Sequence, residues 1–194
     1  MPKNLNNVKE DILSVTRQLI KETGYSELNI RNIAARCGVA TGTVYNYYSS
    51  KNQIIAEILL TEWNLMLRRI DQNIKASVTA IDKLEIIYNE LNNFMINVHG
   101  EWFQTHPIEN TEDMNVNKIS EKRKLLRNQI SEKVFKVIDN GKGGSKKPEN
   151  SNEVMDTCDI ISHILISYSN EEAEFSRLEP SLTALLDLLE NRIS

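Results

Sequence analysis

The sequence predicts an all-α protein: a small N-terminal helical domain joined by a long helix to a larger helical domain. Apolar residues recur three and four positions apart along most of the 194 residues, which is the period of an amphipathic helix. No alternating stretch is long enough to indicate a sheet. Glycine and proline fall between the apolar stripes, where helices should end. We expect the domains to be 1–50 and 51–194.

The N-terminal domain is predicted to hold three helices. The first has an apolar stripe at Val8, Ile12, Val15 and Leu19. Gly24 should end it, and Asn29 can cap the second helix through its side chain. Gly38 falls where the second helix must end and reverse, in a left-handed conformation that glycine adopts at least cost.

The segment after Gly38 is predicted to be a short helix with two unlike faces. Val44 and Tyr48 lie four residues apart, so they share a face that should pack inward. The residues left to point outward or sideways are Thr41, Thr43, Tyr45, Asn46 and Tyr47. Hydroxyls and an amide on a short helix entered through a glycine turn suit the DNA major groove. This pattern indicates a helix-turn-helix.

These residues resemble the helix-turn-helix of TetR-family (TetR/AcrR-like) transcriptional regulators. The matching positions are Gly38, Val39, Gly42, Thr43, Val44, Tyr45, Tyr48 and Lys51. The resemblance covers about the first quarter of the chain. It implies a three-helix DNA-binding domain followed by a helical ligand-binding and dimerisation domain. Ala40 departs from the pattern, which often has a capping residue there. Either the cap is missing, at about 1 kcal/mol, or Thr41 supplies it.

The resemblance implies which side chains contact DNA. The expected set is Arg31, Thr41, Gly42, Thr43, Tyr45, Asn46, Tyr47 and Lys51. Thr43 and the N–H groups of Gly42 and Thr43 should bind phosphate. Asn46 and Tyr47 occupy variable positions of the family and should contact bases. Arg31 should reach a guanine or a phosphate, and Lys51 the backbone; a solvated surface charge is the alternative for both. We expect Thr43, Asn46, Tyr47 and Lys51 to be exposed.

The charge distribution favours the same assignment. Residues 1–51 carry seven basic and four acidic side chains, a balance of +3. The remaining residues carry 16 basic and 23 acidic side chains, a balance of −7. A basic lobe beside an acidic body is typical of a DNA-binding domain with a separate regulatory domain.

The second domain is predicted to be a series of helices. Ser50 and Gln53 have capping-box spacing, so a long helix should run from Lys51 towards Asn73. Further helices should begin at Thr79, near residue 113 and before Val154, and Pro180 can open the last one. Residues 141–148 have the composition of an open loop. The last two helices are rich in Leu and Ile, and a pair from each of two subunits would make a four-helix interface. Alternatively, both helices close the core of their own domain, but the resemblance favours the homodimer.

A small-molecule pocket is expected among the middle helices. The candidate residues are Tyr88, Asn92, Met95, His99, Trp102, Phe103 and His106. Apolar walls with a few polar groups describe a ligand pocket, although they equally describe an ordinary core with a polar outer face. The absence of a basic cluster favours a mainly apolar effector.

Other function classes find little support in the sequence. The histidines are too far apart to share a metal, and no nucleophile–base grouping is suggested by spacing. We therefore expect no enzyme, metal or cofactor. The two cysteines, Cys37 and Cys158, suit a reducing cytosol, and no apolar run has membrane-spanning length, so we expect a cytoplasmic protein.

The combined expectation is a repressor released from a palindromic operator by a small, mainly apolar effector. A TetR-like DNA-binding protein that acts without a small ligand, as an architectural or partner-recruiting factor, is the alternative. A helical enzyme is the third.

Overall fold

The computed structural model describes residues 7–75, 77, 79–96, 116–139, 151–169 and 173–193. All regular secondary structure within these residues is helical, which confirms the predicted fold class. The chain divides into two compact units, Met1–Leu65 and Met66–Ser194.

The first unit contains α1 (Val8–Thr23), α2 (Ile30–Cys37), α3 (Thr41–Tyr45) and the start of α4 (Lys51–Asn73). Its core is formed by fully or almost fully buried side chains from all four helices and the α1–α2 connection: Ile12, Leu28, Ile33, Val44 and Ile54. α4 continues into the second unit, so one uninterrupted helix belongs to both.

The helix ends of this unit are set by capping side chains and by a glycine conformation close to each end in the sequence. The Asn29 side chain accepts a hydrogen bond from the Asn32 N–H at 2.9 Å and so caps α2. Gly38 ends α2 in the left-handed conformation, with φ 70° and ψ 33°. At the start of α4, Ser50 Oγ accepts from the Gln53 N–H at 3.4 Å, while the Gln53 side chain accepts from the Ser49 N–H at 2.8 Å. The predicted capping box is therefore present with its second half shifted by one residue.

α3 is shorter than predicted. It has five residues and ends at Tyr45, whereas the sequence pattern extended it to Tyr48. Beyond Tyr45 the chain turns, because the N–H groups of Tyr47 and Tyr48 both donate to the Val44 carbonyl at 3.0 Å. Ala40 precedes α3 without a side-chain cap, so the first of the two sequence-based alternatives holds.

The second unit contains α5 (Ala80–Phe94), α6 (Val116–Asp139), α7 (Ser151–Ser169), a 3-10 turn (Phe175–Arg177) and α8 (Glu179–Ile193). Thr79 caps α5 as predicted, accepting from the Asp82 N–H at 3.2 Å. The core is mainly aliphatic, with Tyr88 as its largest fully buried aromatic side chain, and its aliphatic part draws on every helix of the unit: Met66, Ile70, Leu84, Ile87, Ile130, Val134, Ile161 and Leu182. The loop predicted at 141–148 lies outside the described residues.

Polar contacts link distant parts of this second unit. The largely buried Lys133 side chain on α6 pairs with Asp71 on α4 at 2.5 Å. Ser131, two residues earlier on α6, donates to the Asp159 carboxylate on α7. Because both pairs join residues far apart in sequence, the packing of this unit depends on long-range contacts.

Candidate nucleic-acid interface

The face that α3 presents to solvent is uncharged and polar. Val44 is fully buried and Tyr48 is 4% exposed, whereas Tyr45 and Tyr47 are 54% and 42% exposed and Asn46 is exposed. Val44 and Tyr48 therefore lie inward and Tyr45, Asn46 and Tyr47 outward, as predicted, whereas Thr41 and Thr43 are half-buried. We refer to residues 41–47 as the recognition segment.

The sequence analysis expected Lys51 to be exposed, and the structure contradicts this. Lys51 is half-buried, its ammonium donates to the Leu28 carbonyl at 3.0 Å, and it lies 4.5 Å from the centre of the Tyr25 ring. A lysine that makes a cation–π contact and a hydrogen bond at the start of a helix helps to fix that helix. Lys51 thus joins the start of α4 to the α1–α2 connection.

Thr43 also differs from the expectation. Its side chain is half-buried, and its N–H donates to the Ala40 carbonyl at 2.9 Å. One of the two backbone donors expected for a phosphate is therefore already used. By helix geometry, the Gly42 N–H has no carbonyl partner further back within α3.

A three-residue network holds the end of the recognition segment. The Tyr48 hydroxyl donates to Glu57 at 3.0 Å, and Lys9 pairs with the other oxygen of the same carboxylate at 2.7 Å. The hydrogen bond from Lys9, reinforced by that from Tyr48, lowers the pKa of Glu57. Burial, together with Glu57, raises the pKa of Tyr48 above its ordinary value. Both groups therefore stay in their bonded forms at neutral pH.

Sequence reasoning did not find this network. Lys9, Tyr48 and Glu57 belong to three different segments, and no spacing rule connects them. Nor did it find the hydrogen bond of 2.6 Å that the Tyr25 hydroxyl donates to Asn52 at the start of α4. Both contacts place α4 against the helix-turn-helix, so they set the position from which the recognition segment projects.

Half of the basic side chains described in this unit are engaged by acidic partners. Lys9 pairs with Glu57, Arg17 with Glu62 and Arg36 with Glu22. The hydrogen bonds from Gln18 and then Arg36 lower the pKa of Glu22. Arg31 and Lys21 are exposed and have no ion pair within the described residues. Of these two, Arg31 lies in the first turn of α2, within the helix-turn-helix itself.

The predicted pocket residues fall into two groups. Tyr88, Asn92 and Met95 are described, while His99, Trp102, Phe103 and His106 lie outside the described residues. Tyr88 is 1% exposed, and its hydroxyl donates to the Ala173 carbonyl, with the Tyr168 carbonyl also nearby at 3.4 Å. Asn92 is half-buried, and its buried Oδ1 has no hydrogen-bond partner in the described part of the chain. Met95 is half-buried at the C-cap of α5.

Within the described ranges, no three His, Cys, Asp or Glu side chains are grouped as a metal ion would require. Both cysteines are buried thiols. In the same ranges, no helix is both long and apolar enough to span a membrane.

The recognition segment lies within a match to a known family. Residues 12–58 match the family model for bacterial regulatory proteins of the tetR family. The fatty acid metabolism regulator protein of Bacillus subtilis is 29% identical over 79 residues, which are 41% of this chain and 41% of that protein. The transcriptional repressor KstR of Mycobacterium tuberculosis is 29% identical over 87 residues, 45% of this chain and 40% of the relative. These alignments span about two fifths of each relative.

The fold likeness extends along nearly the whole chain. The crystal structure of FadR from Bacillus subtilis in complex with stearoyl-CoA has a TM-score of 0.58 and 19% identity. The comparison covers 93% of this chain and 96% of that one. At this identity the likeness concerns the fold. By sequence match, residues 12–58, which include the recognition segment, are similar to the bacterial regulatory proteins of the tetR family, and the helical fold of nearly the whole chain is like that of a solved regulator.

Proposed function

We propose that this protein is a homodimeric DNA-binding repressor that leaves a palindromic operator when a small, mainly apolar effector binds. The observation that carries the proposal is the exposed, uncharged recognition segment, fixed to α4 through Tyr48 and Glu57. Such a segment can enter a major groove, because it is narrow and presents donors, acceptors and rings.

The proposed DNA contacts are those expected from the sequence, with a changed role for Lys51. Tyr45, Asn46 and Tyr47 contact base edges, and Arg31 supplies the main electrostatic contact. Lys51 acts chiefly by positioning α4, because its ammonium is bonded to the Leu28 carbonyl.

Dimerisation is proposed through α7 and α8. Ile160 on α7 is 53% exposed, and Leu188 on α8 is 60% exposed. Large apolar side chains on two terminal helices are suited to a four-helix interface with a second copy. Two recognition segments related by a two-fold axis would then match a palindrome.

The effector is proposed to bind in the second unit near the end of α5. The buried Oδ1 of Asn92, which has no hydrogen-bond partner among the described residues, offers it an acceptor, and the half-buried Met95 follows three residues later. A solved regulator of similar fold binds stearoyl-CoA, whose long acyl chain is apolar although its CoA moiety carries several phosphate charges. α4 belongs to both units and would transmit the effect. A tenfold loss of operator occupancy needs a preference of only about 1.4 kcal/mol for the non-binding state.

One observation favours the alternative without a small ligand. The Tyr88 hydroxyl is engaged by backbone carbonyls, so this residue serves the core rather than an open pocket. A thermal-shift screen with fatty acids, acyl-CoAs and aromatic compounds distinguishes the two cases, since a ligand of the folded form raises the melting temperature. A ligand whose shift is lost in Asn92→Leu, while Asn89→Leu on the exposed side of α5 keeps it, supports the effector site. If no compound stabilises the protein, the alternative replaces it.

DNA binding is tested by selection from a random duplex pool with the full-length protein. We expect an inverted repeat with half-sites about one helical turn apart or somewhat more, and affinity that falls steeply with salt. Arg31→Ala should weaken binding. It should also reduce the slope of log affinity against log salt concentration by about one. Lys21→Ala is the matched control, because it removes one exposed charge from α1. Equal effects of both substitutions, or no enriched sequence, would contradict the proposal.

The dimer is tested by sedimentation of two matched variants. Ile160→Lys should shift the protein towards monomer. Leu125→Lys places the same charge at a side chain on α6 that is 60% exposed, and it should leave the dimer intact. Loss of the dimer in both variants, or in neither, would contradict the assigned interface.

A further inference from the structure

The recognition segment belongs to an unusually neutral stretch of chain. From Cys37 to Ser50 the sequence contains no charged residue. Arg36 and Lys51, which flank this stretch, are engaged by Glu22 and by the Leu28 carbonyl. No guanidinium or ammonium group of the recognition segment is therefore available for a base edge.

This composition limits which bases the segment can recognise. Guanine presents two acceptors in the major groove, N7 and O6, and is most often recognised by a bidentate arginine or by lysine. Adenine presents an acceptor and a donor, which match the amide of asparagine or glutamine. Asn46 is the one amide among residues 41–47, and it is exposed.

The remaining exposed groups favour thymine. Thymine alone carries a methyl group in the major groove, and apolar side-chain surface recognises it. The rings of Tyr45 and Tyr47 are about half exposed, and both flank Asn46 in the chain. Their hydroxyls accept or donate and so add little discrimination of their own.

Resting on the proposed function, we propose that the base pairs beneath the recognition segment are A·T pairs. Asn46 binds adenine through N6 and N7, and the rings of Tyr45 and Tyr47 contact thymine methyl groups. A guanine in the half-site falls at the position reached by Arg31 on α2, outside the part of the site that α3 covers.

The first test uses the motif selected by the full-length protein. Asn46→Ala should remove the preference at one or two A·T positions in each half-site and weaken binding to the best site by about 5- to 150-fold. Asn64→Ala, which removes an exposed amide from α4, is the matched control and should change neither. Arg31→Ala should relax a G·C position if the motif has one. Thermal unfolding of each variant verifies that it is folded.

The second test replaces single atoms of the DNA. 7-Deazaadenine at the position assigned to Asn46 should weaken binding at least about fivefold. It should have no further effect on the Asn46→Ala protein, because the two changes remove the same contact. Uracil in place of thymine should weaken binding to the parent protein more than to Tyr45→Ala or Tyr47→Ala.

The outcomes separate this inference from the function on which it rests. If no duplex is enriched, DNA binding itself is wrong. If an inverted repeat is enriched but Asn46→Ala relaxes G·C positions, the protein binds DNA and the inference is overturned. The inference is also overturned if neither base analogue weakens DNA binding by the parent protein.

Discussion

The helix-turn-helix and the helical second unit differ in the chain distance over which their geometry is fixed. Around α2 and α3 the decisive bonds join neighbours: Asn29 to Asn32, Gly38 to Ala34, and Asn46 to Gly42. In the second unit they join residues separated by 28, 62 and 85 positions, in the pairs Ser131–Asp159, Lys133–Asp71 and Tyr88–Ala173. Local bonds can be inferred from a sequence pattern, whereas long-range bonds cannot.

The largest expected effect compares the two cores. Ile33 and Ile87 are both fully buried, so substitution of either by alanine should cost about 2–5 kcal/mol of unfolding free energy. If the units unfold separately, Ile33→Ala should lower only the transition of the first unit. Calorimetry and hydrogen exchange measure this. A single transition lowered equally by both variants would show that the units unfold together.

A second experiment removes one long-range bond of the second unit. Tyr88→Phe deletes the hydroxyl that donates to Ala173 and leaves a carbonyl with one partner fewer, which should cost about 1–3 kcal/mol. Denaturant unfolding measures the loss. Tyr45→Phe, at an exposed ring, should leave stability unchanged, and a similar loss there would contradict the assigned burial.

Two glycines test the local geometry of the helix-turn-helix. An added Cβ would meet nothing within 4 Å at either Gly38 or Gly42, so backbone conformation decides the result. Gly38→Ala forces alanine into a left-handed conformation and should destabilise by about 1–2 kcal/mol. Gly42→Ala lies within α3 and should stabilise by about 0.5–1 kcal/mol. Thermal melts of the two variants should therefore shift in opposite directions; shifts of the same sign would refute this assignment.

The smallest expected effect is a change in how the melting temperature depends on pH. The pKa of Glu57 is lowered by Lys9 and Tyr48 from its ordinary value of 4.5. A lowered pKa in the folded state means that the unfolded state binds the proton more readily as the pH falls. The stabilisation is complete above the ordinary value and is lost as the pH falls through the lowered value. Melting temperature should thus fall less steeply in acid for Glu57→Gln than for the exposed control Glu27→Gln.

The sequence predicted most of the fold and part of the candidate site. Asn29, Gly38 and Thr79 mark helix ends because their effects act within a few residues, and Val44 and Tyr48 were placed inward by helical spacing. The end of α3 was misplaced because the switch to a turn depends on bonds to the Val44 carbonyl that leave no residue signature. Lys51 was predicted to be exposed because its partners, Leu28 and Tyr25, lie more than 20 positions away.

The shallow anchoring of the recognition segment bears on how such proteins diversify. Within it, Val44 alone is fully buried, and Tyr48 just beyond it completes the attachment. Changes at Tyr45, Asn46 and Tyr47 disturb neither anchor, so they escape the usual conflict between gaining a new property and keeping a stable fold. Duplicated copies of such a gene can acquire separate regulatory targets through a few substitutions while the domain continues to fold.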